Sequence, residues 1–201
     1  MTKRLFNTIS FVFHPIFMPV LGVIIILLYS HLALLPFASK KAIILLVSII
    51  TILLPLSSVL FLVLQKSLTG IVISKEKERK YPLLITTGFY FFGYFMLNKY
   101  SAPLFLQRYM LAVFISVLLA AIINLKWKIS LHMIGFGGIL GLLSIIIYMF
   151  GLQSNTIIVF AILISGLTGT ARLYLNEHSP MQIYAGFFLG FITVSGIYIF
   201  L

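Results

Sequence analysis

The sequence contains no cysteine and no aspartate, and only 8% of its 201 residues are charged. Without cysteine, the chain can form neither a disulfide nor a thiolate metal site. Soluble domains have about 25% charged residues, whereas 62% of this chain is hydrophobic. Too little polar surface is therefore available to cover a water-soluble globule, and the composition predicts an integral membrane protein that crosses the bilayer several times.

Positive charge greatly exceeds negative charge. Fourteen lysines and arginines stand against three glutamates, which gives a formal net charge of +11. In a membrane protein, such an excess is typical of loops at an anionic lipid surface or of a site for an anionic ligand. We therefore expect the lipid bilayer and an anionic lipid, and no nucleic acid, as partners.

Seven apolar runs approach or exceed the length of about 20 residues that a membrane-spanning helix needs. They are continuously apolar rather than alternating, which favours helices over the strands of a barrel. The runs cover residues 9–34, 42–65, 83–98, 104–125, 131–150, 155–174 and 181–201. The prediction is an all-α fold, a polytopic membrane helix bundle of six to seven transmembrane helices, forming one domain over residues 1–201.

Polar residues cluster in three of the joins between the apolar runs. Because successive spans cross the membrane in alternate directions, these three joins lie on the same side of it. These are the joins between the second and third, fourth and fifth, and sixth and seventh runs. The residues concerned are Lys75, Lys77, Arg79 and Lys80; Lys126, Lys128, Ser130 and His132; and Arg172, Glu177, His178 and Gln182. Hydrophobicity does not require this common side, so the clustering predicts one polar site.

Two of these joins lead directly into helix starts. Ser130 is a plausible N-cap that places His132 in the first turn of the fifth run, and Ser179-Pro180 is typical of an N-cap followed by the first helical residue. Helix N-termini attract anions through their unpaired N–H groups and partial positive charge. The pattern predicts a phosphate pocket with His132 and His178 at its base.

Structural interpretations stay open for several of these residues. The basic residues 75–80 also fit a solvated loop on the positive side of a membrane protein. His132 could be an interfacial residue that donates to a carbonyl group. Gln182 completes the S-x-x-Q pattern of a capping box with Ser179.

Other polar and small residues are expected to be structural. His14 and His31 have no polar neighbours in the sequence, so we expect them to be interfacial or packed. Four glycines occur in pairs at four-residue spacing, which allows helix backbones to approach closely in lipid. They are Gly137, Gly141, Gly186 and Gly190.

The order of these motifs resembles the type 2 phosphatidic acid phosphatase (lipid phosphate phosphatase) superfamily, of which the chain would be a divergent member. That family carries a Lys/Arg motif ending in Arg-Pro, then Pro-Ser-Gly-His, then Ser-Arg followed by five residues, His, three residues and Asp. The corresponding stretches here are KEKERKYP, ISLHM and ARLYLNEHSPMQ. The resemblance covers about residues 66–195.

The resemblance implies a phosphatase that hydrolyses a phosphomonoester or diphosphate on a lipid through a phosphohistidine intermediate, with no metal or other cofactor. His178 would be the nucleophile and His132 the acid, with Gln182 in the place of the family's Asp. The phosphate ligands would be Arg172, Arg79, Lys80, Lys75 and Ser130. Candidate substrates are a phosphatidate, a phosphatidylglycerol phosphate or a polyprenyl phosphate or diphosphate.

The resemblance also implies a location in a bacterial cytoplasmic (inner) membrane. Family members usually present the site to the outside or the lumen, whereas the positive-inside rule would put this basic side in the cytoplasm. Gln182 brings no charge to its histidine. One alternative is therefore a catalytically impaired relative that binds anionic lipid headgroups or acts in transport or as a scaffold, and another is a membrane protein without a phosphate site.

Overall fold

The computed structural model describes residues 2–66, 76–151 and 155–201, and within these ranges every long regular element is an α-helix. The helices are α1 (Thr2–Val12), α2 (Met18–Tyr29), α3 (Phe37–Ser48), α4 (Leu54–Leu64), α5 (Glu76–Lys99), α6 (Leu104–Ile123), α7 (Leu131–Phe150), α8 (Asn155–Tyr174) and α9 (Pro180–Phe200). The all-α prediction is confirmed.

Six helical segments are long and apolar enough to cross a membrane. They are Thr2–Tyr29, Phe37–Leu64, Leu104–Ile123, Leu131–Phe150, Thr156–Tyr174 and Pro180–Phe200. The chain is therefore a multi-pass membrane protein. Helix α5 is also long, at 24 residues, but its first turns are charged, so its apolar part is the short run predicted at 83–98.

Helix breaks within the first two segments were not predicted. The first run was expected to start at residue 9, whereas helix α1 starts at Thr2 and ends at Val12, before a short 3₁₀ turn over Pro15–Phe17 separates it from α2. The second segment contains a π-helical stretch, Ile49–Leu53, just before Pro55. Proline lacks a backbone N–H and clashes with the preceding turn, which accounts for both irregularities.

The polar join predicted at 74–82 is shorter than expected, because residues 76–82 form the first turns of α5. Pro82 lies inside this helix, where its ring replaces an N–H donor. The correction matters for the first motif, since Lys77, Arg79 and Lys80 lie on a helix rather than in an open loop around an anion.

Helices α7 and α9 pack in parallel with their backbones in contact. A Cβ atom on Gly137 would lie 1.9 Å from the Phe187 carbonyl oxygen, and one on Gly190 would lie 2.0 Å from that of Ile134. The glycine spacing thus does allow close approach, as predicted. This contact holds the starts of α7 and α9 at the same end of the bundle.

Candidate functional site

The turn between α8 and α9 is built from two helix-terminal motifs placed back to back. Asn176 has a left-handed φ of 54°, a conformation that asparagine tolerates better than most residues. Its N–H donates to the Leu173 carbonyl (2.9 Å) and the Glu177 N–H donates to that of Arg172 (3.1 Å), which is the Schellman pattern of a helix C-terminus. Ser179 then begins α9 as its N-cap, so Glu177 and His178 are held between two fixed ends.

Gln182 fixes the tautomer of His178. Its Oε1 lies 3.1 Å from the Ser179 backbone N–H and 3.2 Å from His178 Nδ1. Because the backbone N–H can only donate, this atom of Gln182 is the amide oxygen, and Nδ1 of His178 must be the donor. A neutral His178 ring therefore carries its proton on Nδ1 and its lone pair on Nε2. Gln182 fills both roles that its sequence pattern suggested, the capping residue and the partner of the histidine.

The second motif lies directly against the third. Ser130 occupies the N-cap position of α7, but its side chain makes no capping hydrogen bond. Its N–H donates to the Gln182 carbonyl oxygen over 3.3 Å, which joins the starts of α7 and α9. The Ser130 hydroxyl is fully buried and has no hydrogen-bond partner among the described residues.

His132 lies in the first turn of α7, as predicted, and is 8% exposed. Its Nε2 atom lies 3.1 Å from the Ser10 carbonyl oxygen of α1. A carbonyl only accepts, so Nε2 of His132 is the donor. The interpretation of His132 as a residue that donates to a carbonyl is therefore correct, and it does not conflict with a role at the site.

Two cations converge on the one acidic side chain of this turn. Glu177 Oε2 lies 3.3 Å from Lys128 Nζ and 3.5 Å from Arg172 Nη2. The Arg172 side chain is only 12% exposed. With two cations against one carboxylate, these three groups leave a net positive charge beside the histidines, which favours an anionic ligand.

The two histidines and Arg172 line one cavity of about 780 Å³. The polar residues at this end of the cavity include His132, Arg172, Glu177, His178 and Asn124. Away from this end the walls are mostly apolar and come from α2, α4, α5, α6, α7 and α9, with Pro55, Leu83, Val113 and Val194 as examples. The cavity is therefore amphipathic, with its charge at one end.

The sequence did not place His14 at the site. His14 lines this cavity, and its ring centroid is 5.6 Å from that of His132 in an edge-on arrangement. It ends a polar row that also contains Lys3, Asn7 and Ser10, all of which line the cavity. Their three- and four-residue spacing is that of one helix face, and this spacing could have identified them. His31 instead contacts Phe105 and Phe150, as expected of a packed residue.

Of the cations of the first motif, the structure describes the side chain of Lys80 alone, which is exposed and does not reach the cavity. Lys75 and the side chain of Arg79 lie outside the described part of the chain. From this segment Pro82 and Leu83 do reach the cavity. Two other cations, Lys3 and Lys128, lie near the histidines. Neither was among the predicted phosphate ligands.

Within the described residues, no group of three or more histidine or acidic side chains is arranged to hold a metal ion. The arrangement can bind an anion through Arg172, which lines the cavity, and Lys128, which pairs with the lining residue Glu177, and it can offer a nucleophilic nitrogen and a proton donor through two histidines. Comparisons with protein-family models, with curated proteins and with solved structures find no match to the chain.

Proposed function

We propose that this protein is an integral-membrane phosphatase that removes a phosphate group from a lipid through a phosphohistidine. The observation that carries the proposal is the hydrogen-bonded orientation of His178. Gln182 holds the proton on Nδ1, which leaves the lone pair on Nε2, in a cavity that also contains His132 and Arg172. This is the tautomer that a histidine nucleophile needs.

In the proposed reaction, Nε2 of His178 attacks phosphorus, a P–N bond forms and the bond from phosphorus to the lipid oxygen breaks. His132 gives a proton to that departing oxygen. Water then attacks phosphorus while His132 takes a proton from the water, the P–N bond breaks and returns its electron pair to Nε2 of His178, and inorganic phosphate leaves. Phosphoryl transfer depends mainly on positioning and on positive charge around the phosphate oxygens, which Arg172 and Lys128 supply.

The shape of the cavity supports a lipid as the substrate. Its lining along α6 extends from Asn124 back to Tyr109, which at 1.5 Å per residue is about 22 Å. Most of this length is apolar, and the cationic end is the end with the histidines. A molecule with a phosphate at one end and a hydrocarbon chain at the other matches this distribution, whereas a small polar phosphate ester would leave the apolar walls without contacts.

Gln182 distinguishes this site from the family that the sequence resembles. A neutral amide orients His178 but stabilises its positive charge less than a carboxylate would. The Glu177 carboxylate pairs with Lys128 and Arg172. We therefore propose a slower enzyme than one with Asp at this position.

Phosphate release from defined lipids tests the proposal. The purified protein in nanodiscs would be given phosphatidate, phosphatidylglycerol phosphate, and polyprenyl phosphate and diphosphate, with and without a chelator. We expect release from at least one lipid, unaffected by the chelator, and an acid-labile phosphoenzyme that is absent from His178→Asn. The matched variant His31→Asn should keep full activity. If no lipid releases phosphate, or if His178→Asn releases as much phosphate as the unsubstituted protein, the proposal is refuted.

A second candidate is a protein that binds anionic lipid headgroups without turnover. It is favoured by the pairing of Arg172 with Glu177 and by the neutral Gln182. It predicts lipid-phosphate binding that survives His178→Asn and weakens in Arg172→Ala, with no phosphate released by either protein. Binding to nanodiscs of phosphatidate against phosphatidylcholine measures this directly.

A further inference from the structure

Helix α1 lies outside residues 66–195, the part of the chain that carries the family resemblance, yet it contacts the proposed proton donor. The Ser10 carbonyl oxygen of α1 accepts from His132 Nε2 over 3.1 Å. Ser10 lines the cavity and is 7% exposed, and its hydroxyl has no partner among the described residues. The last turn of α1 therefore packs against the site through Ser10, although its outer face, with Phe11 and Val12, is exposed.

The contact with Ser10 determines which nitrogen of His132 can serve the reaction. Because Nε2–H donates to the carbonyl, the lone pair of the neutral ring lies on Nδ1. A protonated His132 would keep its Nε2–H on Ser10 and would deliver the proton from Nδ1.

His14 is held in place beside His132 by the break in the first segment. Its Nδ1 accepts from the Ile16 N–H over 3.3 Å and caps the 3₁₀ turn that begins at Pro15. A neutral His14 therefore carries its proton on Nε2. Its ring meets that of His132 at an interplanar angle of 78°, which restricts rotation of His132 away from Ser10.

We infer that the end of α1 is a positioning element for His132: the Ser10 carbonyl and the His14 ring fix its tautomer, so that Nδ1 protonates the departing lipid oxygen. This inference rests on the proposed phosphatase function. The two histidines are oriented in the same way, because His178 also contacts a neutral oxygen, that of Gln182. His14 acts through His132, and the inference assigns it no contact with the phosphate.

Leaving-group dependence separates positioning from a merely structural role. The variant His14→Asn keeps an acceptor for the cap but removes the ring from His132; His31→Asn is the matched control. An alkyl phosphate needs a proton on its leaving oxygen, whereas a nitrophenyl phosphate carrying the same alkyl chain does not. General acid catalysis contributes about 10²- to 10⁴-fold, so we expect kcat for the alkyl ester to fall about 10-fold or more.

With the nitrophenyl ester, His14→Asn should match the unsubstituted protein, and KM should be unchanged for both esters. Equal losses with both esters would mean that His14 only supports the fold, and no loss with either would mean that His14 has no role. Either result overturns the inference while leaving the proposed function intact. If the unsubstituted protein hydrolyses neither ester, the proposed function fails instead.

A measurement without turnover tests the same geometry. With ¹⁵N-labelled histidine, the four rings can be assigned by single substitutions. The His132 ring should be protonated on Nε2 in the unsubstituted protein, and His14→Asn should show both tautomers. A His132 ring protonated on Nδ1, or one that His14→Asn leaves unchanged, would contradict the inference whatever the activity assays show.

Discussion

The two ends of the helical bundle contain similar polar residues but use them differently. At the end with His132 and His178, which we call the histidine end, both histidines are buried and line a cavity of about 780 Å³. At the opposite end, Asn98 donates to Gln107, which donates to the Ala102 carbonyl, and Lys40 donates to that of Ala33. Asn98 and Gln107 border a cavity of only about 200 Å³.

The comparison shows that residue type alone does not identify a site in this chain. Each end has a histidine beside aromatic or imidazole rings, an arginine and a glutamine. At the histidine end, four elements from distant parts of the sequence converge on one cavity, namely α1, α7, α8 and the start of α9. A substitution at the histidine end can therefore be compared with the same substitution at a matched position elsewhere, which tests whether the effect is specific to the site.

The largest expected effect is that of removing the arginine. Arg172→Ala takes away a cation next to the proposed phosphate position, and losing one such group costs about 10²- to 10³-fold in rate. Arg108→Ala at the opposite end removes an arginine that donates to the Leu201 carbonyl and should leave phosphate release essentially unchanged. Measured kcat/KM values that fall equally in both variants would show that the two ends are equivalent.

The next effect concerns stability at the histidine end. Gly190→Ala would place its Cβ 2.0 Å from the Ile134 carbonyl oxygen, which forces α7 and α9 apart at a cost of about 2 kcal/mol. In a chain of this length, that lowers the melting temperature by about 6 °C. Gly196→Ala on the same helix has no neighbouring atom within 4 Å and should melt no lower than the unsubstituted protein. A common melting temperature for the two variants would refute the close contact.

A gain of activity is expected from Gln182→Glu. The substitution keeps the shape of the side chain and the oxygen that accepts from Ser179, and it adds a negative charge to stabilise the protonated His178 ring. The amide-for-carboxylate exchange in a serine protease costs about 10⁴, and here we expect a rise of about 10-fold in kcat because the site is not otherwise adapted. Gln107→Glu is the control. A fall in kcat would show that a carboxylate at this position does not assist His178.

The smallest effect should be a change in chain-length preference. Val117→Phe narrows the apolar part of the cavity, so KM should rise several-fold for a long-chain lipid phosphate and stay constant for a short-chain ester. Val159→Phe puts the same side chain on α8 at a position that is 53% exposed and outside the cavity. Equal KM changes for long and short chains would argue against a hydrocarbon-binding cavity.

The sequence was most informative where a local rule determines the structure. The starts of α7 and α9 at Leu131 and Pro180 were predicted from the serines at their N-cap positions and from Pro180, although the Ser130 hydroxyl makes no capping hydrogen bond. The glycine pairs predicted the close contact between these helices. Because both patterns act over a few residues, neither depends on the rest of the chain.

The errors came from features that depend on distant contacts. The spacing of the polar residues in α1 indicates one helix face, but such a face also fits a solvated terminus. The contact of His132 with Ser10, 122 positions apart in sequence, places that face at the site. Residues 76–81, before Pro82, have the composition of a loop, but they form the first turns of α5. Hydropathy could not decide this because charged residues extend helices as readily as they form loops.

The backbone contact between α7 and α9 also bears on how the protein responds to its surroundings. Bilayers differ in thickness, and spanning helices tilt to match them. His132 lies in the first turn of α7, and His178 lies just before the N-cap of α9. Because glycines of each helix contact carbonyl groups of the other, we expect α7 and α9 to tilt together as one rigid unit. The separation of the two imidazoles should then stay constant from a thin membrane to a thick one, even while the outer helices rearrange around them.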